Sequence, residues 1–187
     1  MFDKAAELLQ RPGTVGVIPT DTVYGVIARA IDKMAITRLY QLKNREHKPG
    51  TIIASDIDQL VGLGIKRRYL KAVTQFWPGP VSVIIPCGDE LDYLHQGVQG
   101  LAVRIPKDSL LQQLLTQVGP LLTSSANQPG KPTAKTVAEA KGYFGNQVDF
   151  YIDGGDLSAR APSTIIRIVD DAIEIIRQGV AKVDEAS

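Results

Sequence analysis

The sequence has one cysteine, Cys87, and two histidines, His47 and His95, which lie far apart in the chain. These counts exclude a disulfide framework and a zinc site with ligands at the usual short spacing. No window approaches the roughly 20 consecutive apolar residues that cross a bilayer, and no membrane-embedded role is expected. Met1-Phe2-Asp3-Lys4 leads into a mixed segment with neither a long apolar core nor a small-residue cleavage site, which argues against a signal peptide and for a reducing, cytoplasmic location. A net charge of only +1 excludes coating of nucleic acid by bulk electrostatics, so any cationic function has to be local. Also missing are a phosphate loop of the form Gly-x4-Gly-Lys-Ser/Thr and a Gly-x-Gly-x-x-Gly leading from strand into helix. Neither histidine sits in a local signature for the base of a serine triad.

What is present suits one globular domain over residues 1–187, because 44% hydrophobic and 22% charged residues supply a single sizeable core. Ala5, Ala6, Leu8 and Leu9 give Asp3 to Gln10 a helical spacing that Pro12-Gly13 stops. Thr14 to Ile18 reads as a short buried strand ending at Pro19. Asp32 is placed to cap a helix through Met34, Ile36, Leu39 and Leu42. Thr51 to Ala54 follows as a strand, and Asp56 caps a short helix closed by Gly62 and Gly64. Lys66 to Trp77 has the pattern of another helix, halted by Pro78-Gly79-Pro80. Val81 to Ile85 and Leu101 to Ile105 are strands dense in branched residues, separated by a polar loop from Cys87 to Gly100.

Asp108 caps a helix that gives way through Gly119-Pro120 to the strand Leu121 to Ser124. The loop Ser125 to Lys135 precedes a helix that the capping-box spacing of Thr136 and Glu139 starts. Val148 to Ile152 is a strand, and Ser163 to Val169 with Ala172 to Arg177 form a hairpin across Asp170-Asp171. This alternation predicts an α/β fold with a mixed sheet.

In open α/β sheets ligands bind beyond the carboxyl ends of strands, and several polar clusters fall there: Thr20 to Tyr24, Thr123 to Asn127, and Arg177. Lys43 and Arg45 end the second helix. Two residues apart, they point to opposite sides of a helix but to one face of an extended segment, so a shared ligand requires the chain to leave the helix at about Lys43. An arginine fork grips phosphate through two hydrogen bonds and lysine adds a point charge. A solvated helix end, with cations favoured by the helix dipole, is the other reading of the same pair. Thr123-Ser124-Ser125-Ala126-Asn127 offers hydroxyls and an amide for phosphate or a nucleobase edge, or equally for turn chemistry. Arg104, alone in an apolar strand, either faces solvent or, if buried, requires an anionic partner such as a substrate carboxylate.

Taken in order, Pro19-Thr-Asp-Thr-Val-Tyr-Gly25, Leu42-Lys-Asn-Arg45, Trp77-Pro-Gly-Pro80, Ala102-Val-Arg-Ile-Pro106, Ser124-Ser-Ala-Asn127, Ile152-Asp-Gly-Gly155, Pro162-Ser-Thr-Ile-Ile166 and Ile176-Arg-Gln-Gly179 resemble the YrdC-like family of L-threonylcarbamoyladenylate synthases. The resemblance implies a twisted open mixed sheet flanked by helices around a deep, positively lined cavity. It implies a nucleotidyltransferase that turns L-threonine, bicarbonate or CO2, and ATP into threonylcarbamoyl-AMP and pyrophosphate, for the N6-threonylcarbamoyladenosine of certain tRNAs. The product would pass to a tRNA threonylcarbamoyl transferase. By motif, Thr20, Arg104 and Ser163 would contact threonine, with Arg104 on its carboxylate. Lys43 and Arg45 would hold the ATP phosphates and act catalytically. Ser125, Asn127, Thr133 and Arg177 would place the nucleotide, and Mg2+ would ride on the phosphates with most of its shell as water, so no all-protein metal site is expected.

Two departures stand out. Glu46, His47 and Thr51 occupy places where the family commonly has Pro and a Gly-Leu or Pro-Leu pair, and Pro129-Gly130 replaces the usual Ser-Gly after Asn127. The chain ends soon after Arg177, which resembles the single-domain form. A different class of function, a non-catalytic module binding double-stranded RNA or tRNA, is disfavoured by the near-neutral charge and the lack of a basic, aromatic-studded run. A third reading keeps the fold and swaps the acceptor, as in the carbamoyl-adenylate-forming domains of hydrogenase maturation proteins, which lie within much larger chains.

Overall fold

The computed structural model describes residues 1–170 and 172–183. One nine-stranded mixed sheet runs through the molecule, built from β1 (Val15–Pro19), β2 (Tyr24–Arg29), β3 (Thr51–Ile53), β4 (Val81–Pro86), β5 (Gly100–Arg104), β6 (Leu121–Ser125), β7 (Phe150–Tyr151), β8 (Thr164–Val169) and β9 (Ala172–Arg177). Their spatial order is β7-β1-β2-β6-β3-β5-β4-β8-β9. The helices are α1 (Asp3–Leu9), α2 (Lys33–Leu42), α3 (Ile57–Leu63), α4 (Arg67–Lys71), α5 (Asp92–His95), α6 (Ser109–Val118) and α7 (Val137–Phe144). Among the described residues no helix is long and apolar enough to cross a membrane.

The sequence-based caps are in place. Asp32, Asp56 and Asp108 accept from the backbone N–H three residues on, and Thr136 does the same for Glu139. Glu139 reaches back to the N–H of Lys135 rather than to Thr136, at 2.8 Å.

Alternation along the strands separates two cores. Val17, Val26, Ile52, Val83, Val103 and Leu122 point to one face, where they join the larger cluster. Ile18, Ile27, Ile53 and Leu121 point to the other and pack beneath α1 and α6. Because both faces are covered, the central strands read as continuous apolar runs. That is why β2 escapes a pattern search: Val26-Ile27-Ala28 has no alternation. Its connection to β1 also lacks a Gly or Asn-Gly turn, being closed instead by Thr20, whose N–H and hydroxyl both donate to the Val23 carbonyl at 3.2 and 2.7 Å.

Other expectations need correction. The helix from Lys66 stops at Lys71, and a 3-10 turn over Thr74–Phe76 follows. β-Branched Val73 and Thr74 crowd a helix, and Pro78 forces Trp77 into an extended conformation. The loop after Cys87 contains α5, which buries Leu94 and His95. Gly62 lies inside α3, and Gly64 alone closes it, with φ 118°. The terminal hairpin is antiparallel as expected, although Asp171 of its turn lies outside the described residues.

Candidate active site

The helices α1 and α6 cover only part of their face of the sheet. Beyond them the strands line a cavity of about 440 Å³. Its floor is a row of paired residues, one per strand: Thr123, Thr51, Ala102, Ile84 and Arg167, from β6 across β3, β5 and β4 to β8. Paired positions on adjacent strands share a face, so register alone brings five distant parts of the sequence together. Gly25 borders this floor because a Cβ there would sit 2.5 Å from Thr123 Oγ1. Four arginines line the cavity, Arg45, Arg104, Arg167 and Arg177, and no carboxylate does among the described residues.

The path of the chain after α2 is set by its C-terminus. Asn44 adopts φ 48°, with its N–H on Gln41 O at 3.0 Å and that of Arg45 on Tyr40 O at 3.1 Å, a Schellman arrangement in which asparagine takes the left-handed position. The helix therefore ends at Leu42, and Lys43 and Arg45 diverge. Lys43 is buried, and its ammonium donates to the Ser125 carbonyl at 2.8 Å, to Asn127 Oδ1 at 3.0 Å and to the Asn127 carbonyl. Burial, with a smaller contribution from Arg45, pulls its pKa down to about 8.

Arg45 faces the cavity and donates to the carbonyls of Lys48 and Pro49 at 3.2 and 3.3 Å. Its neighbours are clamped by Gln96. The Gln96 amide donates to Arg45 O at 3.0 Å and accepts from Lys48 N at 3.1 Å, while the Gln96 carbonyl accepts from His47 Nδ1 at 2.8 Å. A carbonyl only accepts, so Nδ1 carries the proton. The altered segment Glu46 to Thr51 thus has a defined course, held by a residue in a different loop.

Around Arg104 a chain of hydrogen bonds runs through the wall. Arg104 is buried. Its Nη2 donates to Asp21 Oδ1 at 2.9 Å and its Nη1 to Ser82 Oγ at 3.2 Å. Ser82 Oγ donates to Ser163 Oγ at 3.1 Å, which also accepts from Arg177 Nη2 at 3.1 Å. Arginine has donors only, so each serine oxygen accepts from its own guanidinium, and Ser163 Oγ accepts from Ser82 as well. With both acceptor positions of Ser163 taken, its own proton remains for a group in the cavity. Burial raises the Asp21 carboxyl by more than Arg104 lowers it. Asp21 Oδ2, Arg104 Nε and Ser124 Oγ are buried without partners among the described residues.

Arg177 reaches this wall through an irregularity. Ile165 pairs with Arg177 while Ile166 pairs with Ile175, so Ile176 is an extra residue in β9. This β-bulge lets Glu174 and Arg177, three positions apart, share a face. Burial of its guanidinium, then Arg104 and Arg45, hold the Arg177 pKa below the ordinary arginine range, although much of the side chain is exposed.

A family model for Sua5/YciO/YrdC, described as telomere recombination, matches residues 8–179. The chain belongs to this family. Its Sua5/YciO/YrdC relatives include a putative threonylcarbamoyl-AMP synthase of Mycobacterium leprae, 33% identical, with 91% of this chain and 80% of that protein covered. A protein of the same description from Methanocaldococcus jannaschii is also 33% identical, with 97% and 89% covered. Among Sua5/YciO/YrdC structures, Pyrococcus abyssi Sua5 complexed with L-threonine superposes with a TM-score of 0.82 at 28% identity, covering 94% of this chain and 53% of that one. Escherichia coli YciO gives 0.81 at 26% identity, with 96% and 89% covered. The chain spans about half the length of the Pyrococcus protein.

Of the residues expected from the Sua5/YciO/YrdC motifs, Thr20, Arg45, Arg104, Ser125, Ser163 and Arg177 line one cavity. Lys43 and Asn127 sit behind it, bonded to each other. Thr133 is half-buried in the loop that follows β6 and is not among the lining residues. Asp21, Ser82 and Gln96 also shape the site, and none of them is a site residue by the motifs above. Ser82 carries no sequence signal beyond following the Trp77-Pro-Gly-Pro80 motif, and Gln96 none at all.

Proposed function

We propose that this enzyme is a nucleotidyltransferase that makes threonylcarbamoyl-AMP and pyrophosphate from L-threonine, bicarbonate or CO2, and ATP. The observation that carries the reading is a cavity lined by four arginines and several hydroxyls and, among the described residues, by no carboxylate. Once its amine is carboxylated, threonine is a carbamate whose oxygen attacks the α-phosphorus of ATP, and pyrophosphate leaves. Both reactants are anionic, so the chain has to supply cations and oriented donors.

Arg104 has three of its five N–H donors unengaged, since Asp21 and Ser82 take one each. With the free Ser163 proton it binds the threonine carboxylate, and Thr20 borders the same end. Arg45 and Arg177 hold the phosphates, and Lys43, expected from its motif to join them, instead braces from behind the loop that carries Ser125 and Asn127. Ser125, Asn127 and Thr133 place the nucleoside, and magnesium enters as part of the nucleotide substrate. The product goes on to a transferase acting on tRNA, in the cytoplasm.

With labelled bicarbonate, ATP and magnesium, threonine-dependent appearance of pyrophosphate and of a labelled adenylate is expected. ATP binding with no product in the presence of threonine would falsify the proposal.

The Lys43 ammonium adds a pH test. A group lowered to about 8 is charged below that pH and neutral above it. The kcat/KM for ATP, which reports the free enzyme, should fall as pH rises through about 8. Lys43→Gln should lose that limb together with its activity, and a limb that persists unchanged in the variant would assign it elsewhere.

Ser82 acts on threonine only through its neighbours, as a positioning residue. Ser82→Ala frees the Ser163 proton to turn away and leaves Arg104 Nη1 without this acceptor. The KM for threonine is expected to rise about tenfold, with the KM for ATP unchanged and Ser82→Thr restoring it. Equal rises in both KM values would show a general loss of structure instead.

A further inference from the structure

Arg167 has no role in the reading above, yet it belongs to the floor of the cavity. It pairs across β4 with Ile84, which pairs in turn with Ala102, so it lies in the central row and on the open face. Its guanidinium is turned sideways along the sheet. Nε and Nη2 both donate to Glu174 Oε2 on β9, at 3.0 and 2.7 Å. The pair is half exposed, each side chain at 49%. An ion pair this exposed is weakly held and exchanges readily for another anion. Nη1 carries no hydrogen bond among the described residues and remains available.

The charges that line the cavity are otherwise committed unevenly. Arg104 is neutralised by Asp21, whereas among the described residues Arg45 and Arg177 donate only to uncharged oxygens. Lys43 spends its ammonium on Ser125 and Asn127 behind the wall, so the cations that can meet a triphosphate inside the cavity are guanidiniums. Arg167 is the remaining cation on the floor, one row from Arg177, whose partner on β8 is Ile165.

We infer that Arg167 is a binding residue for the outer phosphates of the nucleotide and for the pyrophosphate that leaves, and that Glu174 is a tether it releases on binding. This rests on the nucleotide reading above. The bland alternative is a cross-strand ion pair that steadies the β8–β9 hairpin, and the two differ in sign. If the pair is structural, removing either partner has the same effect. If Arg167 binds phosphate, Glu174 competes with the ligand, and the two substitutions act oppositely.

The test is calorimetric titration of the full chain with inorganic pyrophosphate, ATP and AMP. Arg167→Ala is expected to weaken pyrophosphate and ATP about tenfold and to leave AMP unchanged, as loss of one charge-assisted contact would. Glu174→Gln is expected to tighten pyrophosphate severalfold. Both residues are exposed, so the variants keep the fold, and unchanged melting temperatures would verify it. Shifts of the same sign in both variants, or an unaltered pyrophosphate affinity in Arg167→Ala, overturn the assignment while leaving the synthase reading in place. A wild-type chain that binds neither ATP nor pyrophosphate overturns both.

Discussion

Replacing Arg45 by alanine is expected to lower turnover by ~10²–10³-fold, the usual effect of removing a cation or donor aimed at charge that develops in the transition state. The stability of the protein should hardly change, because the guanidinium donates only to two loop carbonyls, at 3.2 and 3.3 Å. Lys43→Ala should cost as much turnover by a different route. The buried ammonium gathers three oxygens from Ser125 and Asn127, so its loss leaves those acceptors facing a void and loosens the loop that would hold the nucleoside. Hydrogen exchange separates the two variants: protection over residues 125–134 should fall for Lys43→Ala and persist for Arg45→Ala. Unchanged turnover in Arg45→Ala would remove the assignment of phosphate to Arg45, and unchanged turnover in Lys43→Ala would show that the loop needs no such brace.

The second large effect concerns Asp21 and Arg104. Breaking a buried ion pair from one side strands the other charge, at a cost of ~3–5 kcal/mol. Arg104→Met should therefore lower the urea midpoint sharply and abolish threonine binding, since Asp21 is left in the wall with neither oxygen paired. Burial outweighs Arg104 in setting the Asp21 carboxyl, so the pair is not itself a large source of stability. The double variant Asp21→Asn with Arg104→Met should accordingly recover most of the midpoint and none of the threonine binding. If the double variant bound threonine normally, the carboxylate would have to be held elsewhere, and Arg104 would be left with a structural role only.

Much of this site is legible in the sequence, and the reasons why the rest is not are specific. Aspartates ahead of apolar repeats mark helix starts, because a side-chain oxygen satisfies an otherwise unpaired N–H, and three such caps fall as read. The helix ends where a shared ligand for Lys43 and Arg45 would require, because Asn44 takes the left-handed position, yet the two cations then diverge, Arg45 to the cavity and Lys43 to the loop behind it. Ser82 is different. Its hydroxyl matters only because β4 lies between β5 and β8, a neighbour relation that no local pattern states. Gln96 holds the segment after Arg45 from 51 positions away. Arg167 looks like any strand residue beside an acidic partner until the register places it on the cavity floor.

The extra residue in β9 bears on how the length of this strand can vary among related chains. In an unbroken ladder Ile176 would oppose Ile165, and Arg177 would turn to the covered side of the sheet. A chain shorter by one residue here, with Ile176 missing, would regain regular pairing and still present its arginine to the cavity. A chain of the same length whose strand was straightened would lose the arginine with no change of sequence at that position. For this hairpin a gap in an alignment is the harmless difference, and perfect correspondence of residues does not guarantee correspondence of function.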